Sequence, residues 1–241
     1  MPLSGYAKRR YVQFARTIDR LLSSRGLLEA TPTESRLLGW LRSLPKIYDS
    51  TSLAAMDVPW WTYRSIDAIE MWIASSSQPI RAFEFGSGAS TIWLSRRCEH
   101  VDTVEHDASF YQGFLPSLAG LTNVNAHLVE PDMNPRPLCP SRKPGFEGLD
   151  FQSYVSTIAS VGGDFELIVI DGRARVACLR ASIPHLAPGG VIVFDNSLRW
   201  RYRRGITSSG LSEKRFLGLA PTLPYPDQTS LLWRANAQFA S

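Results

Sequence analysis

The stretch RAFEFGSGASTIWLSRRCEHVDTVEHD, residues 81–107, determines the fold that we expect for this chain. A short apolar strand leads into a Gly-Ser-Gly turn and a helical segment, and a second short apolar run ends in Glu105. Strand, tight glycine turn, helix, strand and terminal acid form an arrangement that binds nucleotide-type ligands. Gly86 and Gly88 permit backbone angles and a close ligand approach that a Cβ would prevent. We therefore expect a nucleoside at this turn, with its ribose hydroxyls bound by the Glu105 carboxylate.

The residues of the glycine turn distinguish between two classes of ligand. A dinucleotide fingerprint, G-x-G-x-x-G, has a third glycine where this chain has Thr91. Glu84 also lies two residues before the first glycine, whereas a diphosphate favours helix N–H donors without a nearby negative charge. An acid there suits S-adenosylmethionine, which carries ammonium and sulfonium groups and no phosphate. An NAD(P)-dependent oxidoreductase is the alternative enzyme, and an αβ unit with a glycine-rich turn but no ligand is the structural alternative.

The sequence resembles the class I S-adenosylmethionine-dependent methyltransferases at two motifs. Their first motif is acid-x-Gly-x-Gly, here EFGSG at residues 84–88, and their second strand ends in a ribose-binding acid, here Glu105 within VEHD. The resemblance implies a Rossmann-like methyltransferase fold with a seven-stranded sheet. It also implies that the last two strands form a hairpin, with the final strand inserted antiparallel. A bacterial O-methyltransferase is the member of the family that the later motifs favour.

The resemblance also implies a set of cofactor-binding residues. They are Glu84, Gly86, Ser87, Gly88, Ser90, Thr91, Glu105, His106 and Asp171. Glu84 is expected to order the methionine amino end, with capping of the following helix as the alternative. Ser87, Ser90 and Thr91 are expected to offer hydroxyl or backbone N–H groups to the ligand carboxylate.

Residues after the second and third strands are candidates for the adenine pocket. His106 and Asp107 follow Glu105 directly, and either side chain can line that pocket. Asp107 is equally suited to cap a helix that begins at Ala108. Asp132 follows the third strand and is either near adenine or part of a loop.

The alternation of strands and helices from residue 80 onward predicts a doubly wound, mainly parallel α/β sheet. Predicted helices before this point give an N-terminal helical extension, residues 1–78, ahead of a ligand-binding domain, residues 79–241. The predicted helices are 6–24, 34–42, 61–75, 108–119, 150–160 and one with an apolar stripe at Val176, Leu179, Ile183 and Leu186. The predicted strands are 82–85, 101–104, 123–129, 165–170, 191–194, 212–220 and 228–234. A Pro-Gly-Gly turn is expected at 188–190, and residues 130–148, with five prolines and two glycines, are expected to form a long irregular loop that serves as a lid or substrate wall.

Acidic residues stand at the ends of four predicted strands: Glu84, Glu105, Asp171 and Asp195. Ligands of open parallel sheets bind beyond the carboxyl ends of the strands, so four acids there indicate a site, although any single one can be a helix cap. Asp171, Asp195 and Asn196 form a set of hard oxygen ligands suited to Mg²⁺ or Ca²⁺. This trio resembles that of the catechol-type metal-dependent O-methyltransferases, in which Mg²⁺ lowers the pKa of a substrate hydroxyl.

The chain departs from the catechol-type pattern at one position. That group has a basic lysine three residues after the first aspartate, where this chain has Ala174, flanked by Arg173 and Arg175. Asp171 is therefore the candidate catalytic residue with or without a metal. Without one, Asp171 contacts ligand or substrate and the Asp195-Asn196 pair shapes the pocket.

Composition limits the partners and the compartment. The 241 residues are 44% hydrophobic and 20% charged, typical of a globular protein, and the net charge of +4 is mild. Basic runs near the N-terminus and at residues 199–204 suit nucleic acid, lipid headgroups or acidic sugars, or are simply solvated faces. We expect no nucleic-acid partner, and a peripheral membrane contact through the first helix stays open. Three cysteines without metal spacing and the lack of an apolar run near the ~20 residues of a membrane span favour the cytoplasm.

The expected activity is methyl transfer from S-adenosylmethionine to an oxygen of a small-molecule acceptor, anionic or saccharide in nature. A non-catalytic nucleoside-binding module of the same fold is the alternative outside enzymes, since the lysine base is absent.

Overall fold

The computed structural model describes residues 36–44, 56–141 and 143–235. The predicted helix at 6–24 and the N-terminal basic run lie outside the described residues. The predicted helix at 34–42 is described from Arg36 and extends to Ser43. The division of the chain at residue 78 stays a prediction.

The described residues form seven α-helices and nine strands. The helices are α1 (Arg36–Ser43), α2 (Tyr63–Ser75), α3 (Ala89–Ser95), α4 (Ala108–Phe114), α5 (Gln152–Val161), α6 (Arg175–Ser182) and α7 (Trp200–Thr207). The strands are β1 (Arg81–Phe85), β2 (His100–Glu105), β3 (Val124–Leu128), β4 (Asp132–Met133), β5 (Leu149–Asp150), β6 (Phe165–Ile170), β7 (Leu186–Phe194), β8 (Leu211–Gly218) and β9 (Asp227–Arg234). No helix among the described residues is long and apolar enough to cross a membrane.

Seven strands form one sheet in the order β3-β2-β1-β6-β7-β9-β8. Strands β3, β2, β1, β6 and β7 are parallel, and β9 is antiparallel to both of its neighbours, β7 and β8. The expected seven-stranded Rossmann-like methyltransferase fold, including the inserted antiparallel strand, is confirmed. The strand order reverses between β1 and β6, so the ligand crevice of such a sheet is expected beyond the ends of these two strands.

Both faces of the sheet are buried, which explains the apolar sequence of β6, FELIVI. Leu167 and Val169 pack in one core with Ile66 and Ile69 of α2. Ile168 and its neighbours on the opposite face pack in a second core with α5 and α6. Helix α2 of the predicted extension therefore lies directly on the sheet.

The Pro-Gly-Gly segment differs from the prediction because it lies inside β7. Leu186, expected at the end of a helical stripe, pairs with Phe165 at the start of the strand, and regular pairing resumes at Val191 opposite Leu167. The residues between form a bulge, since Pro188 lacks an N–H for the ladder and Gly189 has a φ of +78°. The prediction that Leu186 belongs to the apolar stripe of a helix was thus wrong, because Leu186 is the first residue of β7.

The loop after β3 is more ordered than predicted. Residues of β4 and β5 pair antiparallel within it, and the buried Asp150 carboxylate holds the remaining backbone. Asp150 accepts hydrogen bonds from the backbone N–H groups of Leu138, Cys139 and Gln152 and from the Asn134 amide, at 2.9–3.0 Å. Burial opposes its charge, but these hydrogen bonds outweigh burial and lower the pKa of Asp150.

Candidate active site

The four predicted acids lie along one edge of the sheet. Glu84 is the penultimate residue of β1 and Glu105 is the last residue of β2, while Asp171 and Asp195 directly follow β6 and β7. These strands are consecutive in the sheet, in the order β2-β1-β6-β7, and parallel. The acids therefore stand on neighbouring strand ends around the point where the strand order reverses.

The glycine turn after β1 packs against the turn after β6. Gly86 has a φ of +98°, and a Cβ at this residue would lie 2.8 Å from the Cα and N atoms of Gly172. A Cβ on Gly172 would in turn lie 3.1 Å from the carbonyl of Phe85. Gly88 differs, because a Cβ built there would meet nothing within 4 Å. The first glycine is thus required by the fold, and the second borders open space.

Glu84 is fully buried, and one of its carboxylate oxygens has no partner. Its Oε2 accepts hydrogen bonds from the hydroxyls of Thr91 (2.5 Å) and Thr103 (2.9 Å). Its Oε1 is buried without a hydrogen bond in the described part of the chain. Burial raises the pKa of Glu84 to about 7, and hydrogen bonds from the surrounding hydroxyls oppose the rise. The carboxylate accepts no backbone N–H in this region, so the structure gives no support to a helix-capping role.

The hydroxyls of the glycine turn point to protein groups. The Ser87 hydroxyl lies 2.9 Å from that of Thr103, and the Thr91 hydroxyl, which donates to Glu84, also accepts from the Gly88 N–H. Ser90 is buried beside them. Thr91 therefore binds the Glu84 carboxylate directly and Ser87 contacts Thr103, so neither of these two hydroxyls is a free donor for a ligand, while the Ser90 hydroxyl lowers the pKa of Glu84.

Glu105 has one oxygen bound by its own turn. Its Oε1 accepts from the backbone N–H groups of His106 (2.7 Å) and Asp107 (2.8 Å), and the His106 Nδ1 lies 2.6 Å from the same atom. No hydrogen bond is made by Oε2 to any described residue. This second oxygen is therefore available to ribose hydroxyls.

Aromatic rings surround His106 beside Glu105. The rings of Phe146, Phe151 and Tyr154 lie 5.6–6.0 Å from that of His106. A cavity of about 250 Å³ opens here, lined by His106, Asp107, Ala108, Ser109, Glu130, Pro131 and Phe146. The Asp107 side chain caps α4 by accepting from the Phe110 N–H at 3.0 Å, and Asp132 belongs to β4 and accepts from Ser153. His106 and Asp107 thus both border the cavity, and Asp107 also caps α4, whereas Asp132 in β4 is not among the lining residues.

The Arg175 guanidinium lies between the ends of β6 and β7. Its Nη2 donates to the Asp171 carboxylate and carbonyl, both at 2.5 Å, and its Nη1 donates to the Asp195 carbonyl at 2.5 Å and lies 3.5 Å from Asp195 Oδ2. Burial opposes the charge of Arg175, but the two carboxylates outweigh it and raise its pKa. Burial and the Asp171 charge raise the pKa of Asp195.

These contacts do not form the hard-oxygen cluster that the sequence suggested for Mg²⁺. Arg175 takes the place between Asp171 and Asp195, and the Asn196 amide donates to Asp227 at 2.9 Å instead of turning to them. Among residues 36–44, 56–141 and 143–235, no three His, Cys, Asp or Glu side chains are grouped so that they could hold a metal ion. The Mg²⁺ hypothesis for Asp171, Asp195 and Asn196 thus finds no support in the geometry.

Two functional neighbours of the site were missed by the sequence reasoning. Thr229 of β9 donates its hydroxyl to Asp195 Oδ1 at 3.0 Å and accepts from the Thr62 N–H at 3.1 Å. Asp227 holds Asn196. The position of Arg175 could have been noticed in the sequence, because two arginines flank the position where the catechol-type enzymes have a lysine. Thr229 and Asp227 had none, since their role follows from the antiparallel insertion of β9.

Arg173 adds a second positive charge to the crevice. Its guanidinium lies 5.3 Å from the centre of the Phe146 ring, and its Nε is buried without a hydrogen bond to a described residue. Burial and the Arg175 charge lower the pKa of Arg173. Arg173 is attracted to Glu105 and Asp171, and Arg175 to Asp171 and Asp195, so the two arginines partly neutralise the strand-end acids.

Among known proteins, similarity to this chain is found in solved structures. No protein-family profile matches the sequence, and no curated protein is significantly similar to it. The N-methyltransferase NodS from Bradyrhizobium japonicum WM9 is 14% identical over 70% of this chain and 93% of its own, with a TM-score of 0.47. A ribosomal protein L11 methylase from Lactobacillus delbrueckii subsp. bulgaricus is 13% identical over 73% of this chain and 82% of its own, with a TM-score of 0.46.

A methyltransferase-like protein from Silicibacter pomeroyi is 20% identical over 73% of this chain and 90% of its own, with a TM-score of 0.45. At these identities and TM-scores, the similarities assign neither an activity nor a substrate to this chain, whose fold class follows from its own strand order.

Proposed function

We propose that this chain is an S-adenosylmethionine-dependent methyltransferase that methylates an oxygen of a small-molecule or saccharide acceptor in the cytoplasm. The observation that carries the proposal is the unpartnered Oε1 of the buried Glu84 beneath the glycine turn. A buried carboxylate oxygen without a donor is costly, and an ammonium group supplies both the missing donor and the countercharge. A diphosphate would meet repulsion at the same place.

Residues along the edge of the sheet offer a place for each part of the ligand. Glu84 would hold the ammonium group, and the open space above Gly88 would admit the methionine end. The free Oε2 of Glu105 would accept hydrogen bonds from the ribose hydroxyls. The cavity bordered by His106 and Phe146 would take the adenine ring. When bound, S-adenosylmethionine supplies a methyl group that is already activated on a sulfonium.

Asp171 is the proposed residue at the acceptor hydroxyl. Its side chain is about one-fifth exposed, whereas the Asp195 side chain is almost fully buried. Arg175 binds its Oδ1, and its Oδ2 makes no hydrogen bond to a described residue. That oxygen can accept the proton of an acceptor hydroxyl. The protein would otherwise mainly align the acceptor with the bound methyl group, because holding two reactants in the right geometry lowers the barrier of such a displacement.

Calorimetry with S-adenosylmethionine, S-adenosylhomocysteine and NAD tests the ligand. We expect the first two to bind and NAD not to bind. Preferential binding of NAD would replace the proposal with an oxidoreductase.

A tritiated-methyl screen over sugars, phenols and small acids tests the transfer. Transfer to a hydroxyl acceptor is the expected result. Ligand binding without transfer to any of the three classes would favour the non-catalytic nucleoside-binding module.

A further inference from the structure

An exposed apolar and basic surface lies beside the crevice, and the candidate site makes no use of it. Leu198 and Trp200 are 53% and 82% exposed, and Arg199 and Arg204 are exposed next to them. We call these four residues the α7 patch. They directly follow the Asp195-Asn196 end of β7, so the patch lies at the carboxyl edge of the sheet. Exposed tryptophan of this extent beside arginines is typical of an interaction surface.

The inner face of α7 fixes the orientation of the patch. The Tyr202 ring packs 5.4 Å from the Phe194 ring, and Ile206 is buried in the core of the same face. Trp200 and Arg204 are four positions apart and therefore lie on one side of the helix. This side faces away from the core, because both residues are exposed.

Two of the four arginines in residues 199–204 have partners, and two do not. Arg203 forms a bidentate ion pair with Glu213 at 2.7 Å, and Arg201 lies over the Tyr202 ring at 4.9 Å. The side chains of Arg199 and Arg204 make no ion pair or hydrogen bond with the described residues. Residues 197–212 contain no aspartate or glutamate. The patch thus presents uncompensated positive charge together with apolar side chains.

We propose that the α7 patch docks on the surface of an anionic lipid bilayer. Tryptophan and leucine insert at the boundary between headgroups and acyl chains, and arginines nearby bind the anionic headgroups. Leu198 favours a bilayer over RNA, because a nucleic acid stacks on tryptophan but gains little from an aliphatic side chain. The net charge of the chain, +4, is also small for a nucleic-acid binder. The docking is independent of methyl transfer, and it places the mouth of the crevice next to the bilayer.

Sedimentation of the full chain with lipid vesicles tests the docking. We expect binding to phosphatidylcholine vesicles that contain one-third phosphatidylglycerol, weaker binding at high salt, and little binding to phosphatidylcholine alone. Each arginine near an anionic surface strengthens binding about fivefold, so Arg199→Gln with Arg204→Gln should weaken it about thirtyfold. Trp200→Ser should weaken it about tenfold.

Matched controls are available elsewhere on the surface. Arg180→Gln removes one positive charge from the last turn of α6, and Leu217→Ser removes an exposed apolar side chain (54%) from β8. Both controls should bind like the parent chain, and circular dichroism checks that all variants are folded. Equal binding by the α7 variants and the controls, binding that ignores phosphatidylglycerol, or binding to poly(U) RNA without binding to vesicles would each overturn the proposal.

Discussion

Arg175, the first residue of α6, forms a partly buried ion pair with Asp171, which directly follows β6, and a guanidinium nitrogen lies 2.5 Å from the carboxylate. The same guanidinium donates to the backbone carbonyls of Asp171, Gly172 and Asp195. Arg175 therefore joins the ends of β6 and β7 through side-chain and main-chain contacts together. The Arg175 guanidinium thus occupies the space between Asp171 and Asp195 that a divalent metal ion would need.

Removal of this cation should destabilise the fold. Arg175→Met leaves buried carboxylates without a countercharge, which typically costs about 3–5 kcal/mol of unfolding free energy. Arg175→Lys keeps the charge but loses the forked geometry, so its loss should be smaller. Urea denaturation measures both losses. If Arg175→Met unfolds at the same urea concentration as the parent chain, the guanidinium is not the link between the strands.

Methyl transfer should be independent of added divalent metal. Because Arg175 occupies the space between Asp171 and Asp195, we expect EDTA and added Mg²⁺ to leave both S-adenosylmethionine affinity and turnover unchanged. Affinity is measured by calorimetry and turnover by the tritiated-methyl assay. A loss of turnover in EDTA that Mg²⁺ restores would show that the carboxylates open to a metal in the active state.

The two glycines of the turn should separate folding from ligand binding. Gly86→Ala places a Cβ 2.8 Å from Gly172 at a φ of +98°, so we expect a loss of more than 1 kcal/mol of unfolding free energy. Gly88→Ala places its Cβ in open space, so stability should hardly change while S-adenosylmethionine affinity falls about tenfold or more. Denaturation and calorimetry on both variants give the two readouts. Unchanged affinity in Gly88→Ala would move the ligand away from this turn.

The sequence predicted the seven strands of the main sheet, the glycine turn and the placement of the four acids, because these depend on local pattern and on the rule that ligands lie beyond parallel strand ends. It did not predict what binds the acids. Arg175 was visible as a flanking arginine, yet its orientation depends on how closely β6 and β7 approach, which no local pattern encodes. Thr229 reaches Asp195, 34 residues earlier in the chain, only because β9 inserts beside β7. The bulge at Gly189 was predicted as a turn, because proline and glycine occur both in bulges inside strands and in turns between elements.

Glu105 should be needed for nucleoside binding. Glu105→Ala removes the acceptor of the ribose hydroxyls, and the loss of two charge-assisted hydrogen bonds should weaken affinity at least about tenfold. Glu99→Ala is the matched control, because Glu99 is exposed at the opposite end of β2. Calorimetry with S-adenosylhomocysteine compares the two, and equal affinities would remove Glu105 from the site.

Glu84 should make both stability and ligand affinity depend on pH. Its pKa of about 7 in the fold exceeds the ordinary value of 4.5, so the folded chain holds a proton that the unfolded chain releases. The stabilising effect is complete below pH 4.5 and is lost as the pH rises through 7, at a total of roughly 3 kcal/mol. Glu84→Gln should remove this part of the pH dependence of the unfolding free energy.

A cationic ligand shifts the same equilibrium in the opposite direction, because an ammonium group binds the ionised Glu84. About one-tenth of Glu84 is ionised at pH 6 and about three-quarters at pH 7.5, whereas an α-amino group loses its proton only near pH 8. The affinity for S-adenosylmethionine should therefore rise about fivefold between these two pH values, with release of a proton on binding. Calorimetry in buffers of different ionisation enthalpy measures the proton directly. An affinity that is flat over this range in the parent chain, or that rises equally in Glu84→Gln, would contradict a contact between the ammonium group and Glu84.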